Sequence, residues 1–193
     1  MMLSDRFTEA LIYARELHAT QVRKGSGVPY IAHLLGVASI ALEYGANEDE
    51  AIAALLHDAI EDQGGNATRE EIRRRFGDIV TEIVDGCTDA DTIPKPPWRQ
   101  RKEDYIAHLP RASASVRLVS AADKLYNAAT ILKDYRILGD SIWSRFKGGK
   151  EGSLWYYRAL VVAFRQVEST PLVDELDRVV SELENFVKNE SNS

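Results

Sequence analysis

Apolar residues recur every three to four positions along most of this chain, which is the spacing of one face of an α-helix. The first such segment begins after Ser4, a residue type that caps helices, and ends at about His18. No strand pattern and no internal repeat accompanies these segments. We therefore expect an all-α fold: a single helical bundle of about nine or ten helices over residues 1–188, followed by a disordered tail at 189–193.

One predicted helix, within AALLHDAIEDQGG (residues 53–65), has two faces of opposite chemistry. One face is apolar, whereas the other collects His57, Asp58, Glu61 and Asp62 at i, i+1, i+4 and i+5. Three carboxylates and an imidazole are costly to bury without a counter-charge, and a divalent metal ion removes that cost. A solvated polar face is the alternative. The local pattern leaves both open, so the choice depends on ligands from elsewhere in the chain.

Two further polar residues lie on predicted helices that are otherwise apolar. His33 stands near the start of the helix predicted at 31–44, where a packed core histidine is the commoner case. Asp123 lies in the middle of the helix predicted at 115–135, and a carboxylate in that position needs a partner. A metal ion shared with the His-Asp pair of the preceding segment would supply one.

The chain also offers groups that suit a phosphorylated ligand. Arg23 and Lys24 are adjacent cations in the loop QVRKGSGVPY, whose glycines let the backbone wrap a phosphate. Many exposed loops have this composition, so the loop alone does not identify a site. Asn127 and Thr130 continue the polar stripe of Asp123 by about one and two helical turns, which indicates an elongated ligand.

Composition narrows the class of protein. With 193 residues, of which 45% are hydrophobic and 28% charged, the chain fits one globular domain. A net charge of −6 disfavours nucleic acid as a partner. The single cysteine, Cys87, excludes an internal disulfide and suits a reducing compartment. Because no apolar run could span a membrane and the N-terminus does not resemble a signal peptide, we expect a cytoplasmic protein; its oligomeric state stays open.

Two loops and one helix end need an interpretation. Three prolines interrupt residues 89–97, which we interpret as a loop inside one domain. Residues 141–152 contain cations, aromatic residues and glycines, and they form either a flap over a ligand or a plain connection between helices. We interpret His18 as a side chain that interacts with the negative end of the dipole of the first helix, and not as a metal ligand.

The order His33, His57-Asp58, Asp123 resembles that of the HD-domain metal-dependent phosphohydrolases. RKGSGVPYIAH, LLHDAIED and ADKLYNAATIL resemble three signatures of the alarmone hydrolase domain of RelA/SpoT enzymes and their stand-alone relatives, which include the Mesh1-type proteins. The resemblance covers nearly the whole chain, and because the sequence ends at residue 193 we expect no synthetase domain. It implies a Mn²⁺-dependent hydrolase that removes the 3′-pyrophosphate of guanosine tetra- and pentaphosphate, (p)ppGpp, the nucleotides of the stringent response.

The resemblance also implies roles for individual residues. The implied Mn²⁺ ligands are His33, His57, Asp58 and Asp123. Glu61 and Asp62 match the acidic pair that orients and deprotonates the attacking water, and we expect them to titrate as a coupled pair. The implied substrate-binding residues are Arg23, Lys24, Ser26, Tyr30, Asn127, Thr130 and Tyr156.

The sequence departs from the family pattern at three positions. Leu34 replaces a frequent proline, Ser120 a frequent lysine and Ala129 a frequent arginine. Because the metal set is intact while a phosphate or base contact is missing, other substrates stay open: the 2′-phosphate of NADPH, the adenosine alarmones (p)ppApp, or a nucleoside monophosphate. A non-catalytic nucleotide-binding module is a further alternative, although such modules tend to lose their ligands.

Overall fold

The computed structural model describes residues 2–89 and 94–191, with side chains as far as residue 189. These residues form ten α-helices and two short 3-10 helices, with one isolated bridge between Val22 and Pro29 and no strand, so the expected all-α fold is confirmed. The helices are α1 (Asp5–Leu17), α2 (Ile31–Glu43), α3 (Glu48–Leu56), α4 (Ala59–Asp62), α5 (Asn66–Phe76), α6 (Asp78–Cys87), α7 (Trp98–His108), α8 (Ala114–Leu138), α9 (Gly149–Arg165) and α10 (Pro171–Ser191). Among the described residues no helix is both long and apolar enough to cross a membrane.

The chain divides into two compact units. The first comprises Met1–Pro96 and Ala112–Asp123, which includes α1 to α6 and the first part of α8. The second comprises Pro97–Arg111 and Lys124–Ser193, which includes α7, α9, α10 and the remainder of α8. All the polar residues that the sequence analysis assigns to a metal belong to the first unit.

Helix α3 is the centre of the first unit. Every residue from Ala51 to Leu56 is buried, and the helix packs against α1, α2 and α6. A capping box fixes its start: the Asn47 side chain accepts the backbone N–H of Glu50, and the Glu50 carboxylate accepts the backbone N–H of Asn47. Because a buried helix takes its stability from packing on all sides, α3 gives a rigid base to the residues at its C-terminal end.

Helix α2 buries the face on which His33 lies. Leu34, Val37 and Ala38 share that face and are also buried. The apolar pattern alone places Leu35 in the core as well, but Leu35 is 46% exposed whereas Leu34 is fully buried. Leu35 lies about 100° beyond Leu34 around the helix, outside the buried arc that contains His33, Leu34, Val37 and Ala38.

Aromatic packing and ion pairs stabilise the second unit. Trp98 at the start of α7 lies so close to Gly148 that a Cβ there would approach the indole ring to 2.5 Å, which explains the glycine. On α9, Arg158 donates to Asp177 at 2.5 Å and to Glu184 at 2.7 Å, and both acceptors belong to α10. Helices α9 and α10 are therefore joined by charge-assisted bonds as well as by apolar contact.

Three segments that the sequence analysis interpreted as irregular differ in outcome. Within 141–152 the chain is a structured connection, because the 3-10 helix Gly139–Arg145 buries Trp143 and α9 follows from Gly149. Of the loop at 89–97, residues 90–93 lie outside the described residues, and 94–97 have no regular structure. Of the tail predicted at 189–193, the described part continues α10 to Ser191, and residues 192 and 193 lie outside the described chain.

The adjacent leucines of α2 provide a matched test of this packing. Leu34→Ala should lower the free energy of unfolding by about 2–5 kcal/mol, because it removes a fully buried side chain and leaves a cavity. Leu35→Ala should change it by about 0.5 kcal/mol or less, as expected for a surface position. Urea denaturation followed by circular dichroism measures both values. Equal losses in the two variants would contradict the orientation of α2.

Candidate active site

Four polar side chains meet at one point in the first unit. The Nε2 atom of His33 lies 3.4 Å from Asp58 Oδ2 and 3.3 Å from Asp123 Oδ1. The Nε2 atom of His57 lies 3.1 Å and 3.6 Å from the same two oxygens, and the two Nε2 atoms are 3.3 Å apart. Both histidines and Asp123 are buried. The structure thus brings together the four residues that the sequence analysis assigns to a metal; their role as ligands stays a prediction.

The His57-Asp58 pair does not lie within a continuous helix, so the single helix that the sequence predicts here is wrong. Helix α3 ends at Leu56, and α4 begins at Ala59. In an unbroken helix adjacent side chains point about 100° apart. At the junction Asp58 adopts φ −97° and ψ −3°, which departs from helical geometry and lets its carboxylate approach the imidazole of the preceding residue. The break is what aims both side chains at one point.

A backbone hydrogen bond fixes the orientation of His57. Its Nδ1 lies 2.8 Å from the carbonyl oxygen of Ala54, so Nδ1 carries the donated proton. In the neutral ring the lone pair is then on Nε2, the atom that faces the two carboxylates. Metal-binding histidines commonly have their second nitrogen bonded in this way.

The electrostatics of the group favour a positive charge at its centre. Burial lowers the pKa of His57, but the carboxylates of Asp58 and Asp123 outweigh burial and hold the pKa well above its usual value. Burial raises the pKa of Asp58, but His57 and His33 outweigh it and hold that pKa well below the usual range. Two carboxylates in a buried place therefore create a strong demand for a cation.

A divalent metal ion fits this donor set. His33, His57 and Asp58 each bring a ligand atom within 4.8 Å of the others, and Asp123 lies against both imidazoles. Metal–ligand bonds of about 2.0–2.2 Å place neighbouring ligands about 3 Å apart in octahedral geometry, which agrees with the separations found here. Imidazole nitrogens and carboxylate oxygens together suit a transition metal.

The acidic pair lies one turn beyond Asp58, on α4, and its two members have different partners. Glu61 is half-buried and accepts a hydrogen bond from Lys95 Nζ at 2.8 Å. Asp62 is more exposed, and its Oδ2 accepts from Gln21 Nε2 at 2.8 Å. Desolvation and then Asp89 raise the pKa of Glu61, whereas desolvation and then Asp58 raise the pKa of Asp62. Both carboxyl groups therefore take up a proton more readily than in water.

Tyr30 contacts both the cationic loop and the cluster of His33, His57, Asp58 and Asp123, which we call the metal group because it is the predicted metal site. Its hydroxyl donates to Asp58 Oδ2 at 2.5 Å, a contact that the sequence analysis does not anticipate. The guanidinium of Arg23 lies over the Tyr30 ring at 5.9 Å, and the loop is closed by a bond from Arg23 N to Val28 O at 2.7 Å. Lys24 and Ser26 are exposed at the tip. The loop is therefore tied to the metal group through Tyr30.

The remaining predicted substrate residues lie in the second unit. Asn127 and Thr130 are half-buried on α8, and the Thr130 hydroxyl donates to the carbonyl of Tyr126 at 2.9 Å. Tyr156 is buried on α9, with Lys102 Nζ 4.9 Å from its ring centre. Its hydroxyl has no hydrogen-bond partner among the described residues. Their assigned contacts with a substrate stay predictions.

The structure adds side chains that sequence reasoning missed. His18 is at the C-cap of α1, as the sequence analysis expects, but it is buried, and burial lowers its pKa. Its interaction with the helix dipole stays a prediction. Its Nδ1 lies 2.6 Å from Gln21 Oε1, and Gln21 in turn donates to Asp62. A signal was present: His18 lies four and eight positions after Ala14 and Ala10, which places it on the buried stripe of α1.

Comparison with known proteins agrees with this geometry. The family model described as HD domain matches residues 10–153. Guanosine-3′,5′-bis(diphosphate) 3′-pyrophosphohydrolase MESH1 of Xenopus tropicalis is 43% identical over 139 residues, which are 70% of this chain and 73% of that protein. The Homo sapiens protein of the same name is 37% identical over 142 residues, 72% of this chain and 74% of its own.

A solved structure has a similar fold over most of the chain. It is described as a metazoan ortholog of SpoT that hydrolyzes ppGpp and plays a role in starvation responses. The TM-score is 0.78 at 26% identity, and the match covers 94% of this chain and 97% of that one. The chain therefore belongs to the HD-domain family, in the group of the MESH1 pyrophosphohydrolases. It is accordingly an enzyme, a hydrolase.

The metal assignment has a direct test in Asp123. Asp123→Ala should weaken Mn²⁺ binding by more than about 100-fold, since even residues that only support a ligand are worth about 10- to 100-fold. Isothermal titration with Mn²⁺ measures the affinity. Asp134→Ala, on the same helix and away from the group, is the control and should bind Mn²⁺ like the unmodified protein. Unchanged affinity in the Asp123 variant would remove this residue from the ligand set.

Proposed function

We propose that this enzyme hydrolyses the 3′-pyrophosphate of guanosine tetra- and pentaphosphate and releases GDP or GTP with pyrophosphate. In this reaction the bond between the ribose 3′ oxygen and phosphorus breaks, and a bond from phosphorus to the water oxygen forms. The single observation that supports it best is the convergence of two imidazoles and two carboxylates beside a proton-accepting acidic pair. The names of the relatives support the choice of substrate.

The cofactor that we propose is Mn²⁺, held by His33, His57, Asp58 and Asp123. When bound, a divalent cation lowers the pKa of its water and offsets phosphate charge. The chain's own contribution is to hold the ligands rigidly: Ala51 to Leu56 of α3 are buried, Ala54 orients His57, and Tyr30 donates to Asp58. The same donor set also accepts other divalent transition metals, so the choice of Mn²⁺ rests on the family resemblance.

Glu61 and Asp62 are proposed to act on the attacking water. The pKa values of both carboxyl groups are raised toward neutral pH. A general base works best there, because it is still ionised and yet has a useful affinity for a proton. Both residues lie one turn beyond Asp58, whose carbonyl oxygen accepts the backbone N–H of Asp62 at 3.0 Å. We assign neither of them as a metal ligand. Lys95 and Gln21 each hold one of the two carboxylates by a hydrogen bond.

The proposed phosphate contacts begin with the loop that carries Arg23, Lys24 and Ser26. Two adjacent cations, the half-buried Arg23 and the exposed Lys24, suit a polyphosphate, and the Arg23 guanidinium lies over Tyr30. The proposed roles of Asn127, Thr130 and Tyr156 rest on the family resemblance. Ala129, where the family often has arginine, is exposed and offers no charge, so another cation must supply that contact.

A small nucleotide in the cytoplasm is the partner that we propose. The net charge of −6 argues against nucleic acid, and a single cysteine suits a reducing compartment. Neither observation bears on the number of subunits.

A substrate panel tests the proposal. Purified protein with Mn²⁺ should convert ppGpp to GDP and pyrophosphate, and excess EDTA should stop the reaction until Mn²⁺ is restored. Products are resolved by anion-exchange chromatography, and ppApp, NADPH and GMP are assayed in parallel. If NADPH loses its 2′-phosphate while ppGpp is not hydrolysed, the proposed substrate is wrong and NADPH replaces it. Binding of ppGpp without turnover would indicate a nucleotide-binding module.

The acidic pair is tested by removing its charge at constant size. The double variant Glu61→Gln, Asp62→Asn should lower kcat by about 10²–10⁴-fold, the usual contribution of general acid–base catalysis. Its Mn²⁺ affinity should stay within about threefold of the unmodified value, because neither residue is a proposed ligand. Glu103→Gln, Asp104→Asn, an adjacent acidic pair exposed on α7, is the matched control. Loss of the metal in the first variant would make these residues ligands instead.

A further inference from the structure

Gln21 connects the end of α1 with the proposed acidic pair across 41 residues of sequence. Its Nε2 donates to Asp62 Oδ2 at 2.8 Å. Its Oε1 accepts a hydrogen bond from Gln63 Nε2 at 2.5 Å and lies 2.6 Å from His18 Nδ1. Both ends of the amide are therefore engaged, one with Asp62 and the other with two nitrogen donors.

These contacts determine which way the amide points. A carboxylate accepts hydrogen bonds only, so the Gln21 atom that faces Asp62 must be the nitrogen. The oxygen then faces Gln63 Nε2 and His18 Nδ1, where donors are required. The reverse orientation would place an oxygen against the carboxylate and an N–H group against the amide nitrogen of Gln63. With Asp62 ionised, this orientation of Gln21 satisfies all three contacts.

His18 supplies one of those donors in a defined tautomer. It is buried, and burial lowers its pKa, which favours the neutral ring with one N–H group. Its Nε2 has no partner among the described residues, whereas Nδ1 faces Gln21. The proton therefore belongs on Nδ1, because a buried N–H without an acceptor is costly. The ring stacks on Tyr30 at 5.1 Å between centres, which keeps Nδ1 in place.

We propose that Gln21 is a positioning residue for Asp62 and that the Nδ1–H group of His18 sets the orientation of its amide. This proposal rests on the proposed function for the role of Asp62 in the reaction. The bond engages Oδ2 and limits rotation of the carboxylate, while Oδ1 accepts no hydrogen bond from the described residues. Asp62 thus presents one fixed oxygen to the water that it is proposed to orient.

The same bond influences the charge of Asp62. Desolvation and the negative charge of Asp58 raise the pKa of Asp62, whereas the Gln21 donor, Lys95 and His18 lower it. A donor stabilises a carboxylate and not the neutral acid, so Gln21 helps to keep Asp62 in the form that accepts a proton. Without the donor, Asp62 should protonate at a higher pH.

Backbone contacts allow the side chain of Gln21 to be tested without disturbing the loop. The N–H of Gln21 donates to His18 O at 3.1 Å, and its carbonyl accepts from Tyr30 N at 2.9 Å. Neither bond involves the side-chain amide. A change at the end of the side chain should therefore leave the loop, Tyr30 and the metal group in place.

The experiment compares Gln21→Met, which keeps the length but has no donor, with Gln100→Met on the exposed face of α7. In Gln21→Met, kcat for ppGpp with Mn²⁺ should fall about 10- to 100-fold, the loss of one hydrogen bond to a charged group, while KM and the Mn²⁺ affinity change by less than about threefold. The acidic limb of the kcat profile should move to higher pH. Gln100→Met should match the unmodified enzyme. An unchanged kcat, or a parallel loss of Mn²⁺ affinity, would overturn the proposal.

A second readout does not depend on activity. In crystal structures of both proteins, the Asp62 carboxylate should have one defined orientation in the unmodified protein and should lose it in Gln21→Met, because the bond from Gln21 Nε2 to Oδ2 is absent. If ppGpp is not hydrolysed, the proposed function fails, but this comparison still decides whether Gln21 positions the Asp62 carboxylate. The same carboxylate orientation in both proteins would contradict that role.

Two substitutions of His18 separate its hydrogen bond from its stacking. His18→Phe keeps a flat ring beside Tyr30 but has no donor, so it should reproduce the kcat loss of Gln21→Met. His18→Asn retains an N–H group close to the position of Nδ1 and should recover most of the activity. Equal losses in the two variants would make the histidine a packing residue and contradict its role in orienting Gln21.

Discussion

Two carboxylates and two imidazoles held together in a buried place are the constraint on which the first unit depends. Asp58 and Asp123 would repel each other and resist burial if no positive charge lay between them. His33 and His57 lie 3.1–3.6 Å from these oxygens, which is close enough to share one proton or one metal ion. The arrangement needs rigid support, and the buried α3 and the buried face of α2 provide it.

Much of the helical architecture follows from the sequence, because local signals determine it. Ser4 caps α1, the Asn47–Glu50 box begins α3, and the apolar spacing locates α2 and α8 to within a few residues. The break between α3 and α4 does not follow. The same residues fit an unbroken helix with a polar face, and no glycine or proline marks position 57 or 58. The reason for the break appears only in the tertiary structure, where the Asp58 carboxylate contacts His33 and His57 beside Asp123.

The supporting side chains could not be predicted for a related reason. Gln21 meets Asp62 across 41 residues, Tyr30 meets Asp58 across 28, and Lys95 meets Glu61 across 34. Each residue type is unremarkable in a loop, and only the tertiary fold makes it a partner. The four proposed ligands were found through the order of family motifs, whereas their local pattern left a solvated face equally open.

The partners of the acidic pair also make its members inequivalent, although the sequence presents them as one motif. Glu61 bonds to the full positive charge of Lys95, which favours its ionised form. Asp62 bonds to the neutral amide of Gln21, and, after desolvation by burial, the charge of Asp58 is the largest effect that raises its pKa. Both carboxyl groups have raised pKa values; the Lys95 hydrogen bond opposes the rise at Glu61, and the Gln21 hydrogen bond opposes it at Asp62. The two carboxylates are therefore held by partners of different chemistry, a charged ammonium at Glu61 and a neutral amide at Asp62.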